Sequence, residues 1–241
     1  MNKCCNFLIA SVKQADQPRP ENFEETVTML DLSQYSFAKL GSSACTPIAC
    51  SAVAALLYRL ENNIDINEPN FLTEAIISGV ADYSNIQRPC DVEHMSVEEF
   101  SALSPDMQQK IRRTGESFQG LLTDPDPFQN LIRRAQEMSA TSSRCASSHV
   151  GIIITKPPET VCITVPSLVC DEGRRVYSFF DSHSRPENGL TGSYLVTSDS
   201  IESVLYRLDS VFPQVELNGL DNTYMQMLYT TYEATVYQVA D

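Results

Sequence analysis

The sequence predicts an α+β fold. Three observations carry this. Apolar stripes at helical spacing occupy the chain from about residue 46 to 139. Short runs rich in β-branched and aromatic residues follow from residue 150 to 197. The two kinds of segment are segregated rather than alternating as βαβ units. The chain has 241 residues, with 42% hydrophobic and 20% charged residues. That length and composition suit one globular domain with a sizeable core. We expect a loose arm over residues 1–25, punctuated by Pro18 and Pro20, and a single domain over 26–241.

The elements are justified in order. The apolar stretch from Cys4 to Val12 is far shorter than a bilayer span, and no small-residue cleavage site follows it. It reads as a tail or a first strand. Asp31 to Gly41 leads into a small-residue turn at Gly41-Ser42-Ser43. From Thr46 to Leu60, Ile48, Ala52, Ala55, Leu56 and Leu60 share one helical stripe, and Pro47 sits in the first turn, where its missing N–H costs nothing. With no charge before Arg59, this helix is expected to be central and buried.

Residues 67–139 read as helical throughout, a lobe with one stripe at Phe71, Leu72, Ala75 and Ile76. Ser96 and Glu99 make a capping box, and a further helix covers Phe128 to Met138. Ser139 to Ser148 reads as a loop. Strands are expected at Val150–Thr155, Val161–Val165, Arg175–Asp181 and Ser193–Thr197, with turns at Pro157-Pro158 and Asp171-Glu172-Gly173. A helix from Ser200, capped by Asp199, carries Ile201, Val204, Leu205, Leu208 and Phe212 on one face. Thr235 to Val239 reads as a last strand.

Charge and cysteine usage narrow the function. With 31 acidic and 17 basic residues the net charge is −14, which disfavours nucleic acid as a partner and favours a basic protein face. The eight cysteines contain no C-x-x-C pair and do not space like a disulfide framework, so free thiols in a cytosol are expected. Cys90 and His94 bracket an acidic segment, but two ligands are too few for zinc. No metal or cofactor is expected, nor a membrane association.

Three places can carry chemistry. Cys45 stands between a small-residue turn and a buried helix, and helix N-termini favour a thiolate. The plainer reading is a small apolar residue at a helix start. Cys50, five residues on, reads as core. The second place is Tyr177-Ser178-Phe179-Phe180-Asp181-Ser182-His183-Ser184-Arg185. Asp181 and His183 stand two apart, so extended backbone presents both to one side. A carboxylate beside an imidazole fixes its tautomer and stabilises the imidazolium, as a base for a thiol requires. The plainer reading is a surface turn with two polar residues. The third place is Gln34, eleven residues before Cys45, whose amide can donate to an oxyanion. His149 is a rival base, since it opens the strand to Thr155 and Asp181 can lie on a neighbouring strand. His94 reads as solvated.

Taken together, Gln34, Gly41 with Cys45 opening an apolar helix, and Phe180-Asp181-Ser182-His183-Ser184-Arg185 followed by a glycine resemble the cysteine protease domain of herpesvirus large tegument proteins, whose relatives include bacterial effectors. Leu72 to Tyr83, with Gly79 inside it, and Ser198 to Phe212 resemble two further helices of that family, so the likeness runs over residues 30–215. Two departures stand out. Ser43-Ala44 precede the cysteine where the family commonly has a glutamine, and Thr46-Pro47-Ile48 follow it where an asparagine is often found. Ala-Cys-Thr-Pro-Ile-Ala is also similar to the Pro-Cys-Pro-Leu-Ala type segment of a eukaryotic deubiquitinase family that prefers long chains.

The resemblance implies a papain-like fold, with a helical lobe bearing the cysteine and an antiparallel or mixed sheet bearing Asp181 and His183. It implies a deubiquitinase that hydrolyses the isopeptide bond after ubiquitin's C-terminal glycine through a thioester. In it Cys45 is the nucleophile, His183 the base, Asp181 its orienter and Gln34 an oxyanion donor. The implied partner is ubiquitin or a polyubiquitin chain, whose recognition face is basic. A monomer in a host cytoplasm or its own, as a translocated effector or a viral protein, is the corresponding expectation. Two other readings stand beside it: a papain-like protease or acyltransferase on another substrate, with His149 as base, and a non-catalytic module that binds ubiquitin or a host protein.

Overall fold

The computed structural model describes residues 24–37, 43–86, 95–141, 147–170, 175–214 and 223–240. The expected turn at Gly41-Ser42, the loop at 171–173, most of the arm, and Cys4, Cys5, Cys90, His94 and Cys145 lie outside these residues.

The centre is an antiparallel sheet. Its strands are β1 (Glu25–Met29), β2 (Ile111–Arg113), β3 (Phe118–Leu121), β4 (His149–Lys156), β5 (Glu159–Pro166), β6 (Tyr177–Asp181), β7 (Tyr194–Ser198) and β8 (Thr231–Val239). The order across the sheet is β1-β7-β6-β5-β4-β8-β2, and β3 also pairs with β8. The helices are α1 (Cys45–Glu61), α2 (Pro69–Asn85), α3 (Val97–Leu103), α4 (Pro105–Lys110), α5 (Pro127–Thr141), α6 (Ile201–Val211) and α7 (Thr223–Thr230).

Period-two alternation in the strands divides the core between two faces. Ile153, Cys162, Phe180, Leu195 and Tyr237 pack against α1 and the helices behind it. Ile152, Ile154, Val161, Ile163, Phe179 and Val196 face the other way, toward Phe128, Leu131 and Ile132 of α5 and Val204 and Leu208 of α6. Helix α1 is apolar nearly all round, as a helix enclosed by sheet and helices must be. Its close neighbour α2 carries Gly79, where a Cβ would stand 2.6 Å from the Cα of Ile48. The capping box at Ser96 and Glu99 forms at the start of α3.

Four expectations need correction. The stretch 67–139 is not helical throughout, since Ile111–Arg113 and Phe118–Leu121 are strands. Neither has an alternating pattern of its own; both extend because β8 offers them backbone partners, at Tyr237–Val239 and Thr231–Ala234. The arm does not reach residue 25, since strand β1 starts at Glu25; its five residues, with Val27 and Met29 exposed, gave little signal and pair with β7. The helix at 201 is capped by Ser200, whose side chain accepts from the Glu202 N–H, and not by Asp199. The last strand starts four residues earlier than expected, at Thr231, directly after a short helix that the sequence reading left out. Among the described residues no helix is long and apolar enough to cross a membrane.

Candidate active site

Cys45 is the first residue of α1, buried at 2% exposure. The helix start is pinned to the sheet by Thr46, whose hydroxyl lies 3.0 Å from that of Thr160 on β5. The Cys45 thiol donates to the carbonyl of Pro158 in the β4–β5 turn at 3.6 Å. It also acts on the imidazole of His183, whose pKa it helps to raise.

Strand β6 ends at Asp181, and the chain then turns tightly. Asp181 Oδ1 accepts from the His183 backbone N–H at 2.9 Å and faces His183 Nδ1 at 2.6 Å. The pair is therefore made by an Asx-type turn, in which one carboxylate oxygen serves both nitrogens. The two-residue spacing brings them together as expected, but His183 lies past the strand end. The other carboxylate oxygen, Oδ2, accepts from Arg185 Nε at 3.0 Å and faces the Tyr194 hydroxyl at 3.5 Å. Arg185 in turn donates both Nη groups to Glu159, at 2.9 and 2.8 Å.

These contacts set the charges. Burial pulls the imidazole of His183 downward, but hydrogen bonds with Asp181 and Cys45 and the charges of Asp181 and Glu159 outweigh it and lift the pKa to about 9. Burial also opposes ionisation of Asp181. The hydrogen bond and charge of His183 and the charge of Arg185 override it and hold the carboxyl below its ordinary value. The arrangement thus favours a carboxylate beside an imidazolium. Burial pushes Cys50 well above an ordinary thiol and raises Cys162 likewise, so both stay neutral in the core beneath Cys45.

Gln34 opens a short 3₁₀ turn (Gln34–Phe37) and is buried. Its N–H donates to the carbonyl of Ser182, and its side-chain Oε1 accepts from the Ser182 hydroxyl at 3.0 Å. Gln34 is therefore fastened to the same turn that carries His183. Tyr35, beside it, stands over the imidazole with ring centroids 6.0 Å apart.

His149 is placed elsewhere. Its Nδ1 lies 2.9 Å from the hydroxyl of Ser148, and Ser148 N–H donates to the carboxylate of Glu61. Glu61 is the last residue of α1, about 24 Å from Cys45 at the usual helical rise. His149 also pairs with Pro166 at the end of β5 remote from Glu159. The site therefore gathers Cys45, His183, Asp181 and Gln34 and leaves His149 at the far end of the helix, so the arrangement with His149 as base has no geometric basis.

Two further participants escaped the sequence reading. Arg185 lay in the quoted segment, but nothing local marked it as a ligand of Asp181. Glu159 is one acidic residue after a turn, and no sequence signal ties it to residue 185.

No family model matches the sequence, and no curated protein does. Among solved structures, the ubiquitin-specific protease encoded by a murine cytomegalovirus tegument protein, in complex with a ubiquitin-based suicide substrate, superposes with a TM-score of 0.59. The match covers 89% of this chain and 86% of that one at 12% identity. The fold is papain-like. Within it, a helix begins at the thiol, a strand ends at the carboxylate, and the imidazole stands on the turn that follows. The likeness extends to most of both chains while nearly nine in ten aligned residues differ, so it is a distant structural relationship.

Proposed function

We propose that this protein is a cysteine-type deubiquitinase. The observation that carries the reading is the hydrogen-bonded pair of His183 and Asp181 beside Cys45, which stands at the positive end of a 17-residue helix. The structural relationship to a viral ubiquitin-specific protease supports the choice of substrate. The chain's acidity suits a substrate with a basic face.

The chemistry follows from the geometry. Asp181 holds His183 by Nδ1, which leaves Nε2 to receive and keep the proton given up by the Cys45 thiol, as the imidazolium that the pair with Asp181 favours. The thiolate adds to the carbonyl carbon of the last ubiquitin glycine. The negative charge developing on that oxygen meets the N-terminal N–H groups of α1 and the side-chain amide of Gln34. His183 returns its proton to the departing lysine amine, giving a thioester on Cys45. Water, deprotonated by His183, then releases the ubiquitin carboxylate and the free thiol. Cys45 is buried with its thiol on the Pro158 carbonyl, and a substrate tail without side chains at its end suits so little exposure.

The test is incubation with ubiquitin bearing an electrophilic C-terminus, with the adduct mapped by mass spectrometry. A covalent adduct on Cys45, lost in Cys45→Ala, is the expected result. Absence of any adduct from a chain whose Cys45 is readily alkylated by iodoacetamide overturns the choice of ubiquitin as substrate.

A further inference from the structure

We propose that Glu159 and Arg185 form a positioning clamp for the site: Glu159 fixes the Arg185 guanidinium, and Arg185 holds the Asp181 carboxylate in the orientation that faces His183. The inference rests on the reading of Cys45, His183 and Asp181 given above.

The argument begins with the needs of Asp181. Its side chain is fully buried, so each oxygen requires a partner. Oδ1 is occupied by the two nitrogens of His183. Oδ2 has one good donor, Arg185 Nε at 3.0 Å, and the Tyr194 hydroxyl at the limit of hydrogen bonding. Without Arg185 the carboxylate would keep one satisfied oxygen and turn toward other donors.

Arg185 is itself held. Its three nitrogens all donate at 2.8–3.0 Å, one to Asp181 and two to Glu159, in the planar fork that only a guanidinium supplies. Glu159 is the first residue of β5, directly after Pro158, whose carbonyl takes the Cys45 thiol. The clamp therefore joins the turn that covers the nucleophile to the turn that carries the imidazole.

Charge separates the two members of the clamp. The groups around His183 are Asp181 at the end of β6, Glu159 from β5, Arg185 from the following turn, Cys45 from α1, Tyr35 from the 3₁₀ turn and Tyr194 from β7, with Lys156 of β4 near Glu159. Asp181, Glu159 and Arg185 together carry one net negative charge, which a protonated His183 neutralises. Removing Glu159 leaves that imidazolium uncompensated, whereas removing Arg185 leaves it over-compensated, so a shift common to both variants reads the lost orientation of Asp181 and not the lost charge.

The experiment reads Cys45 directly, so it does not depend on ubiquitin being the substrate. The alkylation rate of Cys45 by iodoacetamide is followed by mass spectrometry across pH for the full chain and for Glu159→Gln, Arg185→Gln and Arg185→Lys, with thermal melts alongside. The full chain sets the reference profile. In Glu159→Gln and Arg185→Gln the onset shifts upward by about half a pH unit or more. Arg185→Lys keeps the charge but loses the fork, so it does not restore the profile. Turnover of a ubiquitin substrate falls by about 10–100-fold in kcat with little change in KM. Glu159 is partly exposed, so its variant keeps the test open should Arg185→Gln fail to fold. Variants that melt earlier yet alkylate with the unshifted profile reduce the pair to a structural ion pair and overturn the proposal. A shifted profile in a chain that cleaves no ubiquitin supports the clamp and refutes the choice of substrate.

Discussion

One oxygen of Asp181 accepts from both the backbone N–H and the ring Nδ1 of His183, at 2.9 and 2.6 Å. Carboxylate and imidazole are thereby brought together by one turn of the chain, two residues apart. The rotation of the carboxylate is left to the partner of its other oxygen, Arg185 Nε at 3.0 Å.

This coupling gives His183 a pH signature. Its pKa is raised from 6.5 to about 9 in the folded chain. The folded state therefore holds the proton more tightly than the unfolded one. The resulting stability is complete below about pH 6.5, declines as the pH rises, and is gone above about pH 9. The melting temperature of the protein should exceed that of His183→Gln by a margin that shrinks across this window. A margin constant from pH 6 to pH 10, on the order of the experimental range needed, would contradict the raised value.

Replacing His183 by Ala should lower turnover by about 10²–10⁴-fold, the usual scale of a lost general base. His149→Ala should leave turnover near normal, because the residue stands at the far end of α1. It should instead lower stability by about 1–3 kcal/mol through the buried contact with Ser148. Paired kinetics and melts distinguish the two, and a folded but inactive His149 variant would reverse the assignment.

Cys45→Ala should abolish cleavage of ubiquitin chains. Cys50→Ala should retain most activity, because the Cys50 thiol is sealed in the core and held neutral. A gel assay of chain cleavage decides it. Persistent cleavage by the Cys45 variant would remove Cys45 from the mechanism.

Gly79→Ala should destabilise the protein by about 1–3 kcal/mol or more, the range for overpacking. The added methyl would meet Ile48 Cα at 2.6 Å and its N at 2.7 Å, forcing α2 away from α1 close to the cysteine. Urea unfolding measures this. An unchanged midpoint would mean that the two helices separate freely there.

If the acidic helices between residues 67 and 139 contribute to the substrate surface, raising salt from about 0.05 to about 0.5 M should raise KM for ubiquitin substrates while kcat holds, since exposed charges are screened. Steady-state kinetics across that range test it, and a KM indifferent to salt would place the substrate on another face.

The sequence by itself determined the elements whose signal is local. The apolar stripe from Ile48 to Leu60 dictates a buried helix, and the β-branched runs from Val150 to Thr197 dictate strands, because burial periodicity is written in neighbouring residues. Asp181 and His183 were legible as a pair for the same reason, since two residues of chain suffice to join them. The tertiary structure alone decided what depends on distant partners. Strands β2 and β3 exist because β8 lends them hydrogen bonds, and β1 because β7 does. His183 rather than His149 faces Cys45 because strand register puts His149 beside Glu61, a full helix length away. Glu159 reaches Arg185, 26 residues later in sequence, because β5 and β6 lie side by side. Register is set by how whole faces of a sheet bury against helices, and no short window of sequence contains that information.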